Sequence, residues 1–160
     1  MYDIDNIINF IKDKHKNQKR KHGTPYFEHP ISVANILKGK GFDDDYYVTA
    51  LFHDLLEDTN AKEEEILNLS NNKILTAVKL LTKEKNYNNK NYIKNIKDNK
   101  LAKMVKLSDR LHNLSEAIYC DEKFKKKYIN ETKKYYISLA KNTVFENDID
   151  NALKKLIDSL

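Results

Sequence analysis

Apolar residues return every three or four positions along almost the whole chain, which is the spacing of helices with one buried face. Ile4, Ile7, Ile8 and Ile11 form the first such stripe and predict a helix from Asp3 to Arg20, stopped by the turn-forming run Gly23-Thr24-Pro25. Pro30 suits the first turn of a second helix, with His29 just ahead of it; Ile31, Val33, Ala34, Ile36 and Leu37 follow, and Gly39 and Gly41 close it. A third helix is expected over Asp44 to Glu57, and two short ones over Lys62 to Leu69 and Asn71 to Leu81. The Asn-rich stretch from Asn86 to Asn91 reads as a mobile loop before a helical segment at Lys90 to Asp98. Leu101, Val105, Leu107, Leu111, Leu114 and Ile118 mark a long helix, and Lys123 to Thr143 and Ile149 to Leu160 mark two more. Strand-like alternation is missing, and three Gly and two Pro supply too little turn chemistry for an all-β fold. The expectation is an all-α bundle, and with no repeat or linker, one domain over 1–160.

At 160 residues and 40% hydrophobic, the chain can bury a real core. No apolar run approaches the ~18 to 20 residues that span a bilayer, and the N-terminus lacks the apolar stretch of a signal peptide. The one cysteine, Cys120, cannot close an internal disulfide, which suits a reducing, cytoplasmic setting. The net charge of +5 is unevenly spread: Lys12, Lys14, Lys16, Lys19, Arg20 and Lys21 face Asp13 alone between positions 12 and 22. Such an excess fits an anionic ligand such as a phosphorylated nucleotide, or nucleic acid; it also fits a solvated helix face.

The densest chemistry lies in Ala50-Leu51-Phe52-His53-Asp54-Leu55-Leu56-Glu57-Asp58-Thr59. On a continuous helix His53 would share a face with Glu57, and Asp54 with Asp58. Carboxylates near a helix C-terminus oppose its dipole, and a divalent cation is the simplest offset. Together, His29, His53, Asp54 and Asp109 make two imidazoles and two carboxylates with no thiolate. That donor set suits Mn²⁺, Fe²⁺, Zn²⁺ or Mg²⁺, with an octahedral ion such as Mn²⁺ favoured by the carboxylates. On composition alone His15, His22 and His112 compete as ligands. Asp109, Asn113 and Glu116 form a polar stripe on the long helix, which is either a functional face or its wet side.

Three blocks resemble the HD-domain guanosine tetraphosphate hydrolases of the RelA/SpoT family. The first, His15 to Pro30, resembles the family's His-x-x-Gln-x-Arg, then Gly-x-Pro-Tyr-x-x-His-Pro. The second is the His53-Asp54-Leu55-Leu56-Glu57-Asp58-Thr59 run. The third is Val105-Lys106-Leu107-Ser108-Asp109-Arg110-Leu111-His112-Asn113. The resemblance implies a single-domain HD helical bundle in which His29, His53, Asp54 and Asp109 bind Mn²⁺. It further implies that Glu57 and Asp58 activate water, and that Arg20, Lys21 and Asn113 contact the nucleotide. The implied reaction is hydrolysis of the 3′-diphosphate of ppGpp or pppGpp, giving GDP or GTP and pyrophosphate. Because the chain stops after the hydrolase region, it resembles the stand-alone small alarmone hydrolases. Alternatives are an HD phosphohydrolase acting on another nucleotide such as NADPH, and a nucleotide sensor without turnover. Neither a membrane nor nucleic acid is expected as a partner. Two departures bear on substrate preference: His22 stands where Ser is common, and Glu116 where Thr is common. Tyr26 is expected to pack in the core rather than to touch substrate, and Tyr136 is given no ligand contact.

Overall fold

Ile7 and Ile11 are fully buried and set the inner face of α1 (Ile4–Lys14), whose first turn is capped by the Asp3 carboxylate on Asn6 N–H at 3.1 Å. The computed structural model describes residues 1–160. Helix α1 ends six residues before the predicted Arg20, because the chain beyond it has better partners outside a helix. Tyr26 N–H donates to the Gln18 carbonyl at 2.9 Å and Arg20 N–H to Thr24 at 2.8 Å. The reversal between them passes through Gly23 at φ +99°, a region open to glycine. The basic residues from Lys16 to Lys21 therefore lie in a loop and not along a helix face.

Helices α2 (Glu28–Gly39) and α3 (Asp44–Phe52) follow, joined through Gly41 at φ +87°. Val48, Ala50, Leu51 and Phe52 are fully buried, and α3 packs against α1, α2 and a later helix, α6. Burying a side chain the size of Val48, Leu51 or Phe52 stabilises by about 1.5–3 kcal/mol, and α3 is the buried centre of its unit. The predicted helix from Asp44 to Glu57 is broken. It stops at Phe52, and a separate turn of helix, α4 (Leu55–Asp58), begins after His53 and Asp54. Next come α5 (Glu63–Leu69), α6 (Asn72–Leu81) and α7 (Asn89–Lys97), close to their predicted limits; α6 packs against α5 and α7. Asn71 and Asn88 cap α6 and α7.

The chain divides into two compact units, Met1–Val105 and Lys106–Leu160, and the division falls inside α8 (Lys100–Ala117). In the second unit α9 (Glu122–Glu131) runs into a π-helical turn, Thr132–Tyr136, and then into α10 (Ile137–Ala140); α11 (Glu146–Asp158) packs against α9 and α10. The single helix expected over Lys123 to Thr143 is thus interrupted. Around the turn, Arg110 is buried with its guanidinium carbon 4.0 Å from the Tyr136 ring centroid and 4.5 Å from that of Tyr128; Nη2 lies 3.2 Å from Glu131. A buried guanidinium needs such partners to offset its lost hydration. The C-terminus of α11 is tied by Lys125 Nζ, which donates to the Ser159 carbonyl at 3.1 Å. No strand forms; an isolated bridge pairs Lys19 with Pro25. The all-α expectation holds.

Candidate metal centre

The break between α3 and α4 is made by His53 itself. Its ring Nδ1 lies 2.6 Å from the Ala50 carbonyl, the acceptor that a continuous helix would offer to Asp54 N–H. A carbonyl only accepts, so Nδ1 carries the proton, and in the neutral tautomer His53 presents its Nε2 lone pair. That lone pair faces Asp54 Oδ2 at 3.1 Å, and His29 Nε2 lies 3.7 Å from the same oxygen. The two imidazoles, each 3% exposed or less, meet edge to face with centroids 5.3 Å apart, and each offers a ring nitrogen within 4.8 Å of the other. Two acceptors at 3.1 Å repel unless a proton or a metal ion lies between them. The donor set is the N/O kind that holds divalent metals, with one imidazole already oriented by a backbone carbonyl. These residues fit a divalent ion.

Leu51, Phe52 and Leu55 are fully buried on either side of His53 and Asp54, so packing fixes the backbone that carries the pair. Because α4 starts afresh, Asp54 sits at its N-terminal cap and Glu57 and Asp58 in its first turn. The dipole conflict inferred from a continuous helix does not arise, since α3 ends at Phe52, before the carboxylates. Asp58 still stands one turn from Asp54, with its N–H donating to the Asp54 carbonyl at 3.0 Å. Partial burial and the nearby Asp54 and Glu57 carboxylates push the Asp58 carboxyl up to about 6. Thr59, not Asp58, finishes α4, its hydroxyl donating to the Leu55 carbonyl at 2.6 Å.

Tyr26 departs from its expected role. Its hydroxyl lies 2.8 Å from Asp54 Oδ2 and 3.2 Å from Asp58 Oδ2. The Gly-x-Pro-Tyr spacing was the signal available, yet nothing in the sequence says where a tyrosine hydroxyl ends. His15 is also buried, stacked on Tyr26 with centroids 5.0 Å apart, and burial holds its imidazole below the usual range. Glu57 Oε1 accepts from the Lys83 backbone N–H at 2.6 Å. Arg20 is half-buried with its guanidinium carbon 5.7 Å from the Tyr26 ring centroid, and Lys21 is exposed in the same loop. His22 is exposed, near Thr24.

Asp109 lies in the second unit, on α8, and is buried. Oδ2 accepts from Lys106 Nζ at 2.9 Å, and Oδ1 from Asn113 Nδ2 at 3.1 Å. The stripe read from the sequence is therefore real between Asp109 and Asn113. Glu116 instead pairs with His112 at 3.3 Å.

A family model described as "HD domain" matches residues 8–143. The chain belongs to the HD-domain family. A guanosine-3′,5′-bis(diphosphate) 3′-pyrophosphohydrolase of Aquifex aeolicus (strain VF5) is 36% identical over 146 residues, covering 86% of this chain and 21% of that protein. A relative from Danio rerio, guanosine-3′,5′-bis(diphosphate) 3′-pyrophosphohydrolase MESH1, is 35% identical, covering 71% of this chain and 68% of that protein. This HD-domain chain spans about a fifth of the length of the first bacterial relatives it matches. Among solved structures, a metazoan orthologue of SpoT, described as hydrolysing ppGpp and acting in starvation responses, matches with TM-score 0.82 and 25% identity over 94% of this chain and 93% of that one. The protein lmo0812 of Listeria monocytogenes EGD-e matches in fold, with TM-score 0.63 and 21% identity, over 81% of this chain and 99% of that one. No helix is long and apolar enough to cross a membrane.

Proposed function

We propose that this HD-domain chain is a metal-dependent guanosine-3′,5′-bis(diphosphate) 3′-pyrophosphohydrolase, converting ppGpp or pppGpp and water to GDP or GTP and pyrophosphate. The observation that carries it is the meeting of the His53 Nε2 lone pair, His29 and Asp54, in a chain whose relatives bear that activity in their names. Asp109, buried and held at both oxygens, is our fourth ligand, supplied by the third motif block. Mn²⁺ is the ion proposed and the cytoplasm the setting. We take residues 1–160 as one domain, a reading supported by a family match that runs through both units.

A divalent ion bound there supplies Lewis acidity and makes hydroxide available near neutral pH. Asp58, with its carboxyl near pH 6, is ionised at neutral pH and suited to accept the proton of the attacking water. Glu57 shares that role while anchored on Lys83 N–H. Arg20 stacks on guanine and pairs with phosphate, Lys21 adds charge to the same loop, and Asn113 contacts the sugar region. A pure sensor would need no such base beside its metal ligands.

The test is a nucleotide panel. Purified protein is given Mn²⁺, Mg²⁺ or Zn²⁺ with ppGpp, pppGpp, NADPH or a generic phosphodiester, and products are identified. GDP and pyrophosphate from ppGpp are expected. Turnover confined to NADPH would move the substrate assignment, and no turnover with any ion would overturn the hydrolase reading.

A further inference from the structure

We propose that Tyr26 is a positioning residue of this site, its hydroxyl holding the Asp54 and Asp58 carboxylates in fixed relation to each other. The proposal rests on the hydrolase reading above for the roles of those two carboxylates.

The hydroxyl oxygen stands 2.8 Å from Asp54 Oδ2 and 3.2 Å from Asp58 Oδ2. It touches the same Asp54 oxygen that faces both imidazoles, so it acts on the atom best placed to bind a cation. Tyr26 has one proton to give and stands between two acids. Its shorter contact is to Asp54, which fixes that carboxylate's rotation. The longer contact is the second limb of the same three-centre bond, the one proton shared with Asp58 Oδ2, and it keeps Asp58 beside Asp54 despite their mutual repulsion.

The ring is not free to move. Tyr26 N–H is bonded to the Gln18 carbonyl at 2.9 Å. The ring packs on His15 at 5.0 Å between centroids, tilted 33°, and meets His29 edge-on at 5.9 Å. Gln18 also holds the other end of the arrangement, its Nε2 donating to the Asp58 backbone carbonyl. That carbonyl only accepts, so the Gln18 amide orientation is set, and its Oε1 receives the His15 Nδ1 proton at 2.8 Å. The loop before α2 thus grips α4 twice, by Gln18 on the Asp58 backbone and by Tyr26 on the Asp58 side chain.

Groups that orient a metal's ligands are worth about 10–100-fold in metal affinity or activity when lost. Tyr26→Phe removes one oxygen and leaves the ring. Mn²⁺ affinity is measured by calorimetric titration, turnover on ppGpp at saturating Mn²⁺, and folding by thermal melting. The expected result is a cooperative melt, an Mn²⁺ Kd raised or a kcat lowered by about 10–100-fold, and KM within about twofold of wild type. Wild-type Mn²⁺ affinity together with wild-type kcat in a folded Tyr26→Phe protein would overturn the proposal. If wild type binds Mn²⁺ without hydrolysing ppGpp, the hydrolase reading fails, while the Mn²⁺ titration still judges Tyr26. Should Tyr26→Phe fail to fold, p-aminophenylalanine and p-methylphenylalanine placed at position 26 fill the same space, and the first alone can donate. Near wild-type Mn²⁺ affinity with the amino group and weak affinity with the methyl group support the proposal; equal affinities overturn it.

Discussion

Replacing Asp54 by Asn should make the metal-free protein more stable while abolishing its response to metal. With Nδ1–H given to Ala50, the neutral tautomer of His53 turns its Nε2 lone pair to Asp54 Oδ2 at 3.1 Å, and the two face each other as acceptors. An Asn amide with Nδ2 at that position donates one proton to His53 Nε2 and one to the Tyr26 oxygen. Tyr26 then turns its own proton to Asp58, 3.2 Å away. Two net hydrogen bonds gained are worth about 1–3 kcal/mol together. At about 2–4 °C per kcal/mol for a chain of this size, the melting temperature in chelator should rise by about 2–12 °C. Metal at about 100 times its Kd adds about 2.7 kcal/mol to wild type, or about 5–11 °C, and adds little to Asp54→Asn. Scanning calorimetry of both proteins, with EDTA and with Mn²⁺, gives all four values. An Asp54→Asn protein that melts below wild type in EDTA, or gains as much from Mn²⁺, would refute the reasoning.

Glu57→Gln should keep the metal, since the amide oxygen can still accept from Lys83 N–H, yet lose about 10²–10⁴-fold in kcat; normal turnover would make Glu57 structural. Arg20→Lys should lower kcat/KM on ppGpp by several-fold to about 30-fold, the equivalent of a lost cation–π contact of about 0.5–2 kcal/mol. A generic phosphodiester should be affected far less, and equal losses on both substrates would remove the guanine contact. The Asp58 carboxyl stands above the ordinary aspartate value of 3.8, at about 6, so folding favours its protonated form. Its stabilising contribution is present below pH 3.8 and lost as pH rises through 6. In chelator, Asp58→Asn should therefore flatten the fall in stability across that window in urea unfolding; unchanged slopes would contradict it.

The helices and most of their ends were legible because apolar periodicity and capping residues such as Asp3, Asn71 and Asn88 act locally. The breaks were not. The apolar pattern runs unbroken from Ala50 to Leu56, with no Gly or Pro to interrupt it. The helix parts there because the His53 ring claims the Ala50 carbonyl, a side-chain geometry that periodicity does not encode. Helix α1 ends early for a similar reason, since Gln18 finds Tyr26 and Asp58 as partners far along the chain. The π-helical turn at Thr132–Tyr136 has no sequence signal of its own, and the buried Arg110 beside Tyr128 and Tyr136 comes to light only in the folded unit. At the site, the motif blocks pointed to His29, His53 and Asp54, which do come together. They gave no hint that Glu57 would turn to Lys83, or that the Tyr26 hydroxyl would join Asp54 to Asp58.

The central claim is that the His29, His53 and Asp54 group holds a divalent ion on which pyrophosphate release depends. Its most direct test is release of GDP and pyrophosphate from ppGpp by metal-stripped wild type and Asp54→Ala, each titrated with Mn²⁺. Wild type should be inactive when stripped and regain activity as Mn²⁺ is added, while folded Asp54→Ala stays inactive at the same concentrations. Full turnover by Asp54→Ala in metal-free buffer would contradict the claim.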